Sequence, residues 1–203
     1  VTNLADEIHN LWFDEAIFNG VYPSQTLDLF SRYMPNDYEK DLIQISQPLD
    51  WIGINYYTRS LIKIDPNESF LGYKSVNGDL DITDMGWEIY PEGLRILIER
   101  LHKKYSKKIP IFVTENGMAS NDVIQDGKIK DFKRIKFYSD HLTECIKILK
   151  KDIPLKGYFA WSLLDNFEWA YGYSKRFGIV YVDFNNLKRI PKLSWNEFRK
   201  HLK

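Results

Sequence analysis

The pattern of apolar and polar positions divides this chain of 203 residues into helices and strands that take turns. Leu4, Ile8, Leu11 and Trp12 recur at helical spacing, so a helix opens the chain. Gly20 and Pro23 punctuate after it, and a polar stretch, MPNDYEKDLIQIS, leads on to the next strand. LDWIGINYYTRSLIKI is the clearest β-run, aromatic and β-branched, with Asn55 and Tyr57 on one face because they stand two apart. DPNESFLGYKSVNGDLDITDMG then reads as one long polar loop, of a size that compact domains keep for function or leave disordered.

Pro91 begins an amphipathic helix that carries Leu94, Leu97, Ile98 and Leu101 on one side. IPIFVTENG is a strand running into polar residues, and DFKRIKFYSDHLTECIKILKK a second long helix whose stripe holds Leu142, Cys145, Ile146 and Leu149. IPLKGYFAWSLLD and FGIVYVDF are further β-segments, and PKLSWNEFRKHLK closes as a helix with a basic end. No repeat of fixed period is present. Strands separated by helices of this length imply an α/β fold of parallel βαβ units with right-handed crossovers. An open doubly wound sheet and a (β/α)8 TIM barrel both satisfy that order. Neither a G-x-G-x-x-G nor a P-loop pattern follows a strand, whereas Asn55 with Tyr57, Glu115 with Asn116, and Trp161 all fall where strands end. That clustering favours the barrel, whose active face lies at the strands' C-terminal ends.

Composition narrows the partners. Lys plus Arg and Asp plus Glu both number 28, so there is no net charge to draw the chain to nucleic acid or a membrane; neither is expected, and a small neutral substrate fits better. At 44% hydrophobic the chain can fill one good-sized core. Cys145 stands alone, reads as a small buried apolar residue, and makes the reducing cytoplasm the expected compartment. No window reaches the ~18 uncharged apolar residues of a spanning helix, and no secretory signal opens the chain. The first residues already lie inside a helix without an initiator Met, which suggests a removed N-terminal part or a fragment. The four His are scattered without ligand spacing, so no metal and no cofactor is expected.

Two stretches carry chemistry. Glu115 ends an apolar strand, and its plain alternative is a solvated carboxylate at a sheet edge before a common Asn-Gly turn. WSLLDNFEWAYGYSKRFG, residues 161–178, sets Trp161, Phe167, Trp169, Tyr171, Tyr173 and Phe177 around one carboxylate, Glu168. Aromatic faces stack on the C–H faces of a sugar ring while a carboxylate accepts from two neighbouring hydroxyls, the mixture a pyranose pocket requires. A core of ordinary aromatics would explain the rings but leave Glu168 without a purpose.

WIGINYYT, DMGWEIYPEGL, PIFVTENGMA and GYFAWSLLDNFEWAYGYSKRFGIVYVDF, in that order over residues 51–184, together resemble the C-terminal part of the family-one glycoside hydrolases, the β-glucosidase family. The resemblance implies a retaining β-glycosidase on a (β/α)8 barrel, incomplete here, with residues 1–203 the C-terminal portion of one such domain. It implies Glu115 as the nucleophile that forms a covalent glycosyl-enzyme, with Asn116 and Gly117 turning the chain away from the sugar. Tyr57 then hydrogen-bonds the nucleophile, keeping it ionised and aimed. Asn55 points into the pocket, Trp161 lies beneath the reacting ring, and Glu168 with Trp169 holds the hydroxyls farthest from the cleaved bond. Phe177 is a wall near the primary hydroxyl and Trp87 flanks the leaving group; helix-entry packing is the alternative for Trp87. Glu168-Trp169 stands where 6-phospho-glycosidases lack that pair, so an unphosphorylated glucoside or oligosaccharide is the implied substrate, with a galactoside or fucoside left open because a pocket that reads hydroxyls can tolerate an epimer.

The family's acid/base glutamate lies in an Asn-Glu-Pro motif that this chain lacks; Glu68, in a polar loop, has neither the order nor the strand context to replace it. The missing N-terminal barrel portion is thus an implied partner, and the chain by itself is expected to be inactive. A non-catalytic carbohydrate-binding or interaction remnant stays open as the other reading.

Overall fold

The computed structural model describes residues 1–68, 70–105 and 108–202, so Lys203, the last residue of the expected basic end, lies outside the described residues. In chain order the elements are helix α1 (Thr2–Asp6), a π-helical stretch (Glu7–Leu11), α2 (Trp12–Asn19), α3 (Ser24–Phe30) and α4 (Tyr38–Ile45). Strands β1 (Ile52–Asn55), β2 (Leu61–Ile64) and β3 (Tyr73–Val76) follow, then α5 (Pro91–Lys104), β4 (Ile111–Asn116), β5 (Ile124–Gln125) and β6 (Lys128–Ile129). The chain ends in α6 (Phe132–Leu149), β7 (Leu155–Ala160), β8 (Val180–Asp183), β9 (Lys188–Pro191) and α7 (Leu193–Phe198).

These elements form two compact units, Val1–Leu49 with Ser60–Gly78, and Asp50–Arg59 with Asp79–Lys203. The first is mostly helical. The helices α3 and α4 stand where the sequence pattern showed only punctuation and a polar lead-in, because each buries a single residue, Thr26 and Leu42, too little to print a stripe. Thr26 is instead held through its hydroxyl and amide by the Glu7 carboxylate. The stretch expected as one long loop contains β3, which pairs antiparallel with β2. The turn between them closes by Asp65 N–H to the Gly72 carbonyl at 3.0 Å, with Gly72 at φ +68°, and Asp65 accepts from Lys74 at 2.8 Å. The supposed single β-run of residues 49–64 is therefore two strands in two different sheets.

The second unit holds the parallel sheet, in the order β1-β4-β7. Ile54, Ile111, Val113 and Leu155 are buried on one face, and α5 and α6 pack against each other with Leu94, Ile98, Leu101, Phe137, Tyr138, Cys145 and Ile148 inside. The stripe expected on the second long helix is rotated: Cys145 is buried, but Ile146 and Leu149 are about half exposed and His141 and Glu144 are covered instead. Burial pushes the Cys145 thiol up to about 12, an inert group. The core beside the sheet's C-terminal end is Met118, Phe137, Tyr138, Ile179 and Phe198.

Candidate active site

Asn116 sits at the end of the central strand β4 and is fully buried. Its side-chain amide donates to the Tyr56 carbonyl at 2.7 Å, and its side-chain oxygen accepts from the Tyr158 hydroxyl at 2.5 Å. One side chain thus ties the exits of β1 and β7 to β4. It is a strand residue, contrary to the expected turn, and Gly117 is glycine for a different reason than turning. A Cβ there would stand 1.7 Å from the Trp161 carbonyl oxygen, and Trp161 N–H donates to the Asn116 carbonyl at 2.9 Å. The chain after β4 and the chain after β7 therefore run in direct backbone contact.

That clamp presents Glu115 one residue before Asn116, on the opposite side of the strand. The Tyr57 hydroxyl donates to Glu115 Oε2 at 2.6 Å across 58 residues of sequence. Burial first, and then that bond to Glu115, raise the Tyr57 phenol well above its ordinary value, so it stays a donor. Glu168 is buried, and burial followed by the charge of Glu115 raises its carboxyl above the usual range. Two carboxylates that feel each other, one held by a phenol, lie at the C-terminal ends of the parallel strands.

Aromatic rings close one side. Tyr57 meets Trp87 edge-on at 5.6 Å and Phe177 at 6.2 Å, and Trp87 meets Phe177 at 6.2 Å. Phe177 is fully buried in this triangle. Trp161 is half-buried, with its carbonyl accepting from Tyr138 at 3.2 Å, and its peptide to Ser162 is cis. Asn55 stands on the strand beside this group, where its side-chain oxygen accepts from Thr114 at 2.8 Å. Trp169 is 84% exposed, and Phe167, Tyr171 and Tyr173 are more than half exposed, while Glu168 is buried and its N–H closes a tight turn, residues 168–172, on the Gly172 carbonyl at 2.7 Å. Phe167 and Tyr173 pack edge-on on each other at 5.3 Å, and Tyr173 lies 4.4 Å from Phe184.

Sequence reasoning passed over the charged residues that hold this arrangement. Glu88, next to Trp87, accepts from Arg59 at 2.7 Å and from Leu80 N–H at 3.0 Å. Asp122, Asp131, Arg134, Asp165 and Lys192 form a buried ionic cluster. These charges lie far apart in sequence, from Asp122 to Lys192, and only the fold brings them together. Among the described residues no group of three His, Cys, Asp or Glu is placed to hold a metal ion, and no helix is long and apolar enough to cross a membrane.

A parallel α/β sheet that gathers carboxylates and aromatic rings at the C-terminal ends of its strands has the layout of the (β/α)8 barrel class, whose active face lies there. Within it the chain belongs to glycosyl hydrolase family 1, whose family model matches residues 1–202. It is 44% identical over 181 residues to β-glucosidase A of Thermotoga maritima, covering 89% of this chain and 40% of that protein. It is 39% identical over 194 residues to a β-glucosidase of Agrobacterium sp., covering 94% of this chain and 42% of that one. The solved β-glucosidase of Thermotoga maritima in complex with castanospermine superposes with a TM-score of 0.92 at 39% identity, over 99% of this chain and 45% of that chain. The chain thus spans less than half the length of these relatives, and its three parallel strands with their helices are an incomplete (β/α)8 barrel.

Proposed function

We propose that this chain is the nucleophile-bearing C-terminal portion of a single-domain retaining β-glucosidase. The observation that carries the reading is the 2.6 Å bond from the Tyr57 hydroxyl to Glu115, at a strand end within electrostatic reach of Glu168. Glu115 attacks the anomeric carbon of a β-glucoside, the bond to the aglycone oxygen breaks, and a covalent glycosyl-enzyme forms that water then hydrolyses. Tyr57 fixes the carboxylate oxygen that does not attack. Glu168, with Trp169 beside it, receives sugar hydroxyls, and the same negative charge disfavours a phosphorylated sugar. Asn55 and Trp161 flank the reacting ring, while Phe177 and Trp87 form the aromatic wall against Tyr57.

Protonation of the leaving group needs a second carboxyl about 5 Å from the nucleophile. The chain holds no Asn-Glu-Pro, so that acid comes from the N-terminal portion of the barrel, joined in one polypeptide or docked as a second one. Alone, the chain does not turn over. The single Cys145 fits a reducing cytoplasmic setting.

An aryl β-glucoside assay with and without the N-terminal portion tests the reading. Turnover appears only in the assembled enzyme, and a 2-deoxy-2-fluoro glucoside labels the peptide that contains Glu115. Label on another peptide ends the assignment, and binding of castanospermine with no turnover in the assembled form points to a non-catalytic remnant.

A further inference from the structure

Asp165 is 4% exposed, and its two oxygens take four donors. Oδ1 accepts from Gly178 N–H at 2.9 Å and Lys192 Nζ at 2.8 Å; Oδ2 accepts from Arg176 Nη1 at 2.7 Å and Val182 N–H at 3.3 Å. The residues so joined are the two ends of the loop that carries Glu168, Trp169 and Phe177. Lys192 is fully buried and also meets Asp122, which lies on the chain leaving β4 after Glu115. Arg134 completes the connection: it pairs with Asp122 at 2.8 Å and Asp131, and donates to the Arg176 carbonyl at 2.8 Å. Ser120 N–H reaches that same carbonyl at 3.2 Å.

Phe177 therefore stands between two pinned neighbours. Residue 176 is held by its guanidinium and its carbonyl, and residue 178 by its amide. Gly178 admits no side chain, since a Cβ would lie 2.2 Å from Asp165 N. Buried ion clusters contribute little net stability against apolar packing of the same shape, because desolvation offsets the attraction. Burial, and next the charge of Arg134, hold Lys192 below its ordinary value, the mark of that cost. What such a cluster supplies that apolar packing does not is direction: each oxygen has a fixed donor, so the loop ends admit one register.

We propose that Asp165 and Lys192 are positioning residues, a buried clasp that ties the loop bearing Glu168 and Phe177 to the exit of the strand bearing Glu115. The idea rests on reading Glu115 and Glu168 as sugar-facing, with Phe177 packed behind Tyr57 and Trp87, but the clasp itself is testable without turnover. Lys192→Met removes the charge and keeps the stem, and Asp165→Asn keeps the shape. Peptide-resolved hydrogen exchange on the full chain is expected to show residues 162–182 opening at least ~10-fold faster in both, with β4 and α5 within ~3-fold of the parent. Lys192→Arg recovers most of the protection. The near-ultraviolet circular dichroism of the Trp87–Phe177 contact changes in Lys192→Met, and that change is absent in a Trp87→Phe background. Uniform acceleration along the chain, unaltered exchange over 162–182, or a dichroism change that survives Trp87→Phe overturns the proposal. If Lys192→Met does not fold, the same comparison in Asp165→Asn decides. Failure of the fluoro-sugar label at Glu115 would remove the glycosidase reading and leave this exchange result standing.

Discussion

Glu115 and Tyr57 are coupled as a carboxylate and its donor, so each substitution has its own signature in the assembled enzyme. Glu115→Gln keeps size and shape and removes the charge that the proposed attack requires; kcat on an aryl β-glucoside is expected to fall by ~1,000-fold or more with an unchanged unfolding midpoint. Tyr57→Phe removes one bond to a charged group, worth about 1.5–3 kcal/mol, so kcat/KM drops ~10- to 100-fold and label at Glu115 accumulates more slowly. Near-parental hydrolysis by either variant contradicts its role. Gly117→Ala drives a methyl group into the Trp161 carbonyl, and the strand exits must separate to relieve it. Unfolding by urea should show a loss of about 2 kcal/mol or more, where Gly→Ala at an exposed glycine of compatible backbone would instead gain ~0.4–1 kcal/mol.

At the scale of the element, α6 carries a buried titratable group, His141. His141 is fully buried, stacks on Phe137 at 4.0 Å and lies 6.0 Å from Tyr56, with its Nδ1 on the Phe137 carbonyl. Burial lowers it to about 4, against the smaller opposing effects of that hydrogen bond and of Asp140 and Glu144. The folded state therefore binds fewer protons than the unfolded one below pH ~6.5, and stability falls as pH drops from there toward 4. The loss approaches about 3 kcal/mol. Urea titrations at pH 7 and pH 4.5 should show it, and His141→Gln should flatten that part of the profile. Strand β7 offers a second test. Phe159 is 58% exposed on it and Trp51 is 52% exposed beside β1, so the three-stranded sheet presents apolar faces and outer strands that pair with no further strand among the described residues. Such edges template association. Sedimentation velocity should find the chain self-associating, and Phe159→Lys should shift that to several-fold higher concentration.

At the largest scale, the second unit is organised around the exits of β1, β4 and β7. Asn116 joins them, the Asp165–Lys192 cluster ties the loop beyond them, and Tyr57 meets Glu115 there. Three strands cannot close a barrel that needs eight. On the proposed reading, an N-terminal portion supplies the other staves together with the acid. Co-expression of that portion with this chain should restore hydrolysis and also suppress self-association, because the same surfaces serve both.

Strand, helix and motif were legible wherever local chemistry repeats: the period of Leu94, Ile98 and Leu101 marks α5, and the apolar run before Glu115 marks β4. Tyr57 and Glu115 could be paired in advance through the family resemblance, not through any local signal, since 58 residues separate them. The short helices α3 and α4 and the β2-β3 hairpin left little trace, because each buries too few side chains to imprint a period. Tertiary structure alone decided that Asn116 is a tie rather than a turn, that Glu168 is covered while Trp169 next to it is exposed, and that Asp122, Arg134, Asp165 and Lys192 share one buried cluster. The physical reason is the same in each case. A charge or an amide in a sequence carries no record of what will desolvate it; burial and partner are set only when distant segments meet.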